Sequence, residues 1–323
     1  MEFITYKELN NDILKNLHKI PKDIDVVVGV PRSGLMLASI IALYLNKPLS
    51  DIDSFINGTM LEVGKTKNVK GIKKEYKDLN KILIVEDSIL SGNSIIETKQ
   101  KLKKVNYNFE YYYLAAYVVD EKKDLVDIYF KQIDPPRVFE WNYLHHNQLI
   151  NACVDIDGVL CEDPTKEEND DGERYIEFIK NAKPKLIPTR KIGHIVTSRL
   201  EKYRKETEYW LMKNNIEYGE LHMLDLPTAE ERQKLCNHAE FKSSIYKKIK
   251  NATWFIESEK NQAEKIYELT NKTVFCIQNQ EVYDENDRVK SYRNKKKNIK
   301  SKIKKITPKF IIKLYRKING KSV

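Results

Sequence analysis

Cysteine is scarce. Cys153, Cys161, Cys236 and Cys276 are scattered through 323 residues, and no two of them form a C-x-x-C pair. That pattern argues against a disulfide framework and a thiolate zinc site, and it suits a reducing compartment. No apolar run approaches the length of about 20 residues that crosses a bilayer. The opening "MEFITYKELNND" carries acids where a secretory leader would be basic and then apolar, so a cytoplasmic location is expected. Internal repeats and Gly/Ser-rich linkers are also missing. Acidic side chains are absent from one region: none follows Asp287, while residues 289–323 hold fourteen Lys and Arg. Because the whole chain carries +10, the first 288 residues carry −4. The basicity therefore bears on the partner of a tail and not on the substrate of the body.

Hydrophobic residues make up 41% of the chain and charged residues 32%, a globular composition with enough length for two domains. Strand and helix signals alternate throughout. In the first half, the helical spacing of "YKELNNDILKNLHKI" precedes the β-branched run "DIDVVVGV" and the apolar helix "GLMLASIIALYLN". The strand "KILIVED", the helix "SIIETKQKLKKV" and the strand "YYYLAAYVV" follow. The second half repeats the rhythm with strands at "NACVDID", "GHIVTS", "ELHML", "TWFIES" and "TVFCI". Helices are expected between them near 173–181, at "EKYRKETEYWLMKNN", over 228–250 and at "NQAEKIYELT". This pattern predicts an α/β protein of two Rossmann-like domains with mainly parallel sheets. The expected boundaries are 1–147 and 148–285, followed by a basic amphipathic tail over 286–323.

The stretch "ILIVEDSILSGNS", residues 82–94, ends a buried strand on Glu86 and Asp87 and then offers Ser91, Gly92, Asn93 and Ser94 at a helix start. Backbone N–H groups there, with hydroxyls beside them and the helix dipole behind, form an anion pocket. Two carboxylates at its rim suit vicinal sugar hydroxyls, so the pattern describes ribose 5-phosphate. The stretch resembles the PRPP-binding motif of type I phosphoribosyltransferases, and "GVPRSGLML", residues 29–37, resembles that family's pyrophosphate loop. The resemblance implies that Glu86 and Asp87 hold the ribose 2′- and 3′-hydroxyls. It assigns the 5-phosphate to Ser91, Gly92, Asn93 and Ser94, and the pyrophosphate to Arg32, Ser33 and Gly34. The family's mobile loop would fall within residues 57–75, where Lys65 or Lys67 would close over the leaving group. Asn93 stands where many members carry a second glycine.

In "CVDIDGVLCED", residues 153–163, strand alternation would bring Asp155 and Asp157 out together at a strand end. Carboxylates that close repel unless a cation lies between them, and Mg²⁺ with its oxygen ligands is the usual solution. The stretch resembles the first motif of haloacid dehalogenase-like phosphatases, and the remaining motifs follow in family order over roughly residues 150–278: "HIVTSR", "AEFKSSIYKKI" and "TWFIESEKNQA". The resemblance implies a nucleophilic Asp155, an acid–base Asp157, and Thr197 and Lys242 on the phosphoryl oxygens. Mg²⁺ would be held by Asp155, the Asp157 carbonyl and Glu257, with Glu259 the alternative to Glu257. Roughly 35 residues separate the first two motifs, which leaves room for one helix and implies a minimal cap. An open site of that kind accepts a phosphate on a bulky substrate.

In the tail, Ile299, Ile303, Ile306, Phe310 and Leu314 share one helical face, with Thr307-Pro308 marking a second helix start and Gly320 a stop. Lysines surround that face, so residues 290–320 are expected on an anionic membrane surface. A solvated charged tail is the alternative. No nucleic acid is expected, because Tyr292, Phe310 and Tyr315 are the only aromatics for stacking.

Together the two resemblances imply a bifunctional enzyme that resembles bacterial PRPP-dependent ribofuranosyltransferase systems of surface-glycan biosynthesis. It would move a 5-phosphoribosyl group from PRPP to a glycan or lipid-linked glycan acceptor. It would then remove the 5-phosphate at the inner face of the cytoplasmic membrane. His145 and His146 are candidates for taking the acceptor proton. Two alternatives stand: a nucleobase phosphoribosyltransferase coupled to a nucleotidase, and a non-catalytic PRPP-sensing protein.

Overall fold

Short β-branched runs and the helices between them divide the chain into two units, Met1–Tyr143 and Leu144–Val323. The computed structural model describes residues 1–61, 75–226 and 238–285. In the first unit, β1 (Glu2–Ile4) leads to Thr5, whose hydroxyl and backbone form a reciprocal capping box with Glu8 and so start α1 (Tyr6–Asn16). Next come β2 (Val26–Gly29), α2 (Ser33–Leu45), β3 (Leu49–Asp51), α3 (Ile52–Ile56) and β4 (Lys81–Ile89). The unit ends with α4 (Asn93–Leu102), β5 (Glu110–Val118), β6 (Ile128–Gln132) and β7 (Arg137–Phe139). Five strands form a parallel sheet in the order β3-β2-β4-β5-β6, and β1 pairs with β7 in a separate parallel ribbon.

Alternate residues of the central strands feed two cores. Val27, Leu83 and Val85 pack with Leu9, Ile13, Leu37 and Ile41 on the side of α1 and α2. Val26, Val28, Ile82 and Ile84 pack with Ile52, Phe55, Ile95 and Leu102 on the side of α3 and α4. Burial on both faces explains why these strands read as continuous apolar runs and not as alternation.

The second unit contains β8 (Ala152–Val154), α5 (Glu173–Asn181), β9 (Ile192–Leu200), α6 (Arg204–Lys213) and β10 (Tyr218–Leu224). It continues through α7 (His238–Lys248), β11 (Trp254–Glu257), α8 (Lys260–Thr270), β12 (Thr273–Cys276) and β13 (Glu281–Tyr283). The strand order is β10-β9-β8-β11-β12-β13, parallel except for the terminal β13. The protein is thus α/β with mainly parallel sheets.

Several elements differ from expectation. Strands β1, β3, β6, β7 and β13, each three to five residues long, were too short to show a period. The strand expected over "NACVDID" stops at Val154. There Asp155 Oδ1 accepts the N–H of Ile156, and the Ile156 carbonyl accepts the N–H groups of Val159, Leu160 and Cys161. A tight turn, not strand alternation, therefore presents Asp155 and Asp157. The break between units falls after Tyr143, four residues before the expected 147. Of the helix expected over 228–250, His238–Lys248 is described. Lys65, Lys67 and the whole 286–323 tail lie outside the described residues. No helix among the described residues is long and apolar enough to cross a membrane.

Gly193 at the start of β9 shows how tightly the second sheet is registered: a Cβ there would lie 2.0 Å from the Ile150 carbonyl oxygen. Neither backbone segment can yield cheaply. Gly193→Ala is expected to destabilise the second unit by about 1–3 kcal/mol, the usual cost of overpacking, read as a lower urea midpoint.

Two candidate active sites

The first site forms where β2 and β4 end side by side, with the Val30 N–H donating to the Val85 carbonyl at 2.9 Å. The turn after β2 lies directly on β4. A Cβ on Gly34 would stand 2.7 Å from the Val85 oxygen and 3.1 Å from Glu86 Oε1, so only glycine permits this approach. The Pro31–Arg32 peptide in this turn is cis, Arg32 is exposed and Ser33 is half-buried. Glu86 and Asp87 are both buried. Ser94 Oγ donates to Glu86 Oε2 at 2.7 Å, and the Asp87 N–H donates to Glu86 Oε1 at 3.2 Å. Burial, and after it the Asp87 charge, pushes the Glu86 carboxyl up to about 8. Gly92 has φ +82°, and a Cβ there would meet Leu125 at 2.3 Å. It caps α4, where the Asn93 N–H faces Ser91 Oγ at 3.4 Å.

Trp141 belongs to no motif that the sequence reading singled out. Its indole N–H donates to Asp87 Oδ2 at 2.8 Å across 54 positions. The ring stacks on Phe139 with centroids 4.8 Å apart, and Tyr6 leans against it at 5.8 Å. A cluster of aromatics near the end of the unit, "VFEWNY", was the available signal, but no periodicity connects it to β4.

The second site gathers around a buried ammonium. Lys242 Nζ on α7 donates to Asp155 Oδ2 at 2.6 Å, Glu257 Oε2 at 2.7 Å and Gln262 Oε1 at 2.9 Å, which uses all three of its protons. Burial pushes Asp155 up to about 7 against the pull of Lys242, and the Glu257 and Asp157 charges add to the rise. Glu257 is fully buried, and its other oxygen accepts the N–H groups of Ser258 and Glu259. The Asp157 carbonyl accepts from Ser258 Oγ at 3.2 Å. Gly158 makes this approach possible: with φ +75°, its missing Cβ would sit 2.5 Å from Ser258 Oγ.

Arg199 is the residue here that the motif reading missed. Fully buried, it grips the Asp157 carboxylate, with Nη2 at 2.6 Å from Oδ1 and Nε at 3.1 Å from Oδ2. Its Nη1 has no partner among the described residues. Thr197 is buried, and its hydroxyl oxygen accepts the Arg199 N–H at 3.2 Å, while Ser198 and Arg199 from the same strand line the cavity. That cavity is open and measures about 530 Å³; Glu259, Asp163 and Lys185 also face it. His145 and His146 are tied into turns of the second unit: His145 Nδ1 lies 2.9 Å from Thr189 Oγ1, and His146 Nδ1 accepts the Gln148 N–H.

The donor set suits a hard divalent cation. Asp155, Asp157, Asp163, Glu257 and Glu259 stand against Lys185, Arg199 and Lys242, an excess of two negative charges on oxygen donors.

Comparison with known proteins bears on the first unit. Residues 5–144 match the family described as phosphoribosyl transferase domain. A xanthine-guanine-hypoxanthine phosphoribosyltransferase from Helicobacter pylori aligns at 18% identity over 43% of this chain and 92% of its own, with a TM-score of 0.33. A purine phosphoribosyltransferase from Pyrococcus horikoshii aligns at 20% identity over 43% of this chain and 92% of its own, also with a TM-score of 0.33. A chain of a Pnkp1/Rnl/Hen1 complex aligns at 13% identity over 85% of this chain and 94% of its own, with a TM-score of 0.27. No curated protein matches the chain in sequence.

Glu86 gives a test by stability. Its folded value, near 8, lies above the ordinary 4.5, so the folded state keeps a proton that the unfolded state releases between those values. Stability should therefore fall as pH rises from about 4.5 to about 8, and the loss should be complete above that window. In Glu86→Gln this slope should disappear. Thermal melts of ligand-free protein at about pH 5 and about pH 9 should show the variant gaining at least about 1.4 kcal/mol on wild type, the worth of one pKa unit.

Proposed function

We propose that this chain transfers a 5-phosphoribosyl group from PRPP to an acceptor hydroxyl and then hydrolyses the 5-phosphate, so that plain ribofuranose is installed. The observation that carries this reading is the presence, on a chain with a phosphoribosyltransferase domain, of the Asp155–Lys242–Glu257 cluster facing an open cavity. A phosphatase on the same chain removes the phosphate that the first reaction leaves on its product and makes the sequence irreversible. Nucleotide synthesis keeps that phosphate, whereas ribose in a glycan carries none. The open cavity and the single short helix α5 between β8 and β9 suit a bulky acceptor. The basic tail suits an acceptor held on an anionic membrane.

In the first step, Glu86 and Asp87 hold the ribose hydroxyls. The turn Ser91–Ser94 at the start of α4 takes the 5-phosphate, and Arg32, Ser33 and Gly34 take the pyrophosphate, which leaves with the acceptor proton as the acceptor oxygen bonds to C1. Positioning supplies most of the acceleration, because a ribosyl cation is a ready electrophile. In the second step, an Asp155 oxygen attacks phosphorus while Asp157 gives a proton to the leaving sugar oxygen. Water then attacks the aspartyl phosphate, and Asp157 takes its proton. Lys242 fixes Asp155, and Arg199 fixes Asp157. Mg²⁺ held by Asp155, the Asp157 carbonyl and Glu257 would offset charge on the transferring group.

The aromatic wall of Tyr6, Phe139 and Trp141 beside Asp87 favours a flat acceptor face, which a nucleobase provides as well as a sugar does. This keeps the nucleobase reading as the second one, and the same assay separates the two.

The assay offers Mg²⁺, PRPP and a panel of nucleobases and synthetic or lipid-linked glycans, with products followed by mass spectrometry. A ribosyl-phosphate adduct on a glycan should accumulate in Asp155→Asn, appear dephosphorylated with wild type, and be absent in Asp87→Asn. Transfer to free bases alone would overturn the glycan reading. Arg199→Lys should lower phosphate release by about 10²-fold or more while leaving pyrophosphate release unchanged.

A further inference from the structure

One cluster of ligating side chains lies outside both sites. His194 on β9 stands directly opposite Glu220 on β10 in the parallel register, and His222 follows Glu220 by two residues on the same face. The three donor atoms form a compact triangle. His222 Nε2 is 3.2 Å from Glu220 Oε2, His194 Nδ1 is 3.7 Å from the same oxygen, and the two ring nitrogens are 3.5 Å apart. Ligands placed tetrahedrally at zinc, with bonds of about 2.0–2.2 Å, stand about 3.3–3.6 Å from one another. Each edge of the triangle lies within about 0.1 Å of that range before any ion is added.

The surroundings favour an ion over an ordinary contact. His194 is 8% exposed and its ring is held by the sheet, while Glu220 and His222 lie on the terminal strand, where solvent reaches them. No lysine or arginine among the described residues pairs with Glu220; its ionic neighbours are the two imidazoles. Arg204 on α6 is occupied by Glu201, Glu208 and the Leu221 carbonyl.

We propose that His194, Glu220 and His222 form a site for a zinc-like divalent ion, with the fourth position open to water. The bound ion ties the terminal strand β10 to β9. Two imidazoles and one carboxylate select zinc, cobalt or nickel over magnesium, the reverse of the all-oxygen donors around Asp155. The chain would thus hold two sites of opposite metal preference, and this one does not depend on the reaction proposed above.

The test uses the full chain, stripped with a chelator and returned to excess Mg²⁺ so that the oxygen site is satisfied. Co²⁺ is titrated and followed by its visible ligand-field bands, and Zn²⁺ by competition with a chromophoric chelator. Wild type and Asp155→Asn should each bind one equivalent. His222→Gln should bind at least about 100-fold more weakly, and the solvent-exposed Glu220→Gln, whose fold is not at risk, about 10-fold more weakly. Zn²⁺ should raise the melting temperature of wild type by several degrees and leave that of His222→Gln unchanged. Equal affinity in wild type, His222→Gln and Glu220→Gln would overturn the proposal, as would loss of the tight equivalent in Asp155→Asn.

Discussion

The second unit is organised around one buried ammonium. Lys242 comes from α7, and its three acceptors come from the end of β8, the end of β11 and the first turn of α8. Four elements therefore meet at a single nitrogen. A charge so placed is tolerated only when every proton is satisfied, and breaking such a pair costs about 3–5 kcal/mol because the remaining charge is stranded. The contact that orients Asp155 is the same contact that the local fold needs. Arg199 extends the arrangement by holding Asp157, so both carboxylates of the DxD motif are each anchored by a buried cation.

The first unit reaches a comparable result with close packing in place of charge. Gly34 brings the turn after β2 onto the last residues of β4, Gly92 turns the chain into α4, and Trp141 closes on Asp87. Burial leaves the acidic pair with one carboxyl, Glu86, that favours its protonated form. A protonated Glu86 beside Asp87 adds a donor to a group of acceptors.

Much of this was legible in the sequence because the signals were local. The β-branched runs at Val26–Gly29 and Lys81–Ile89 announced parallel strands, and the motif spacing singled out Glu86, Asp87, Asp155 and Lys242. Non-local features were not legible. The β1–β7 ribbon pairs residues more than 130 positions apart in strands of three residues, and neither strand is long enough to show a period. Arg199 sat two residues beyond the threonine that the motif highlighted, and only the fold shows that it reaches Asp157. Asp155 and Asp157 were expected from strand alternation and are in fact presented by the turn at Ile156, whose carbonyl gathers three N–H groups. The histidine–glutamate triangle depended on the register of β9 against β10, which no single stretch encodes.

The ribbon of β1 and β7 carries a consequence for folding order. Glu2 pairs with Arg137 and Ile4 with Phe139, while the Tyr6 N–H is held by Glu140, one residue before Trp141. Residues 2–4 thus wait for residues 137–139 at the other end of their unit, and long sequence separation of this kind slows closure. The five-stranded sheet can assemble first, since its strands alternate with their own helices. The wall beside Asp87 is then the last part of the unit to form, so damage to Glu2–Ile4 should appear as a weakened pocket on an otherwise intact sheet.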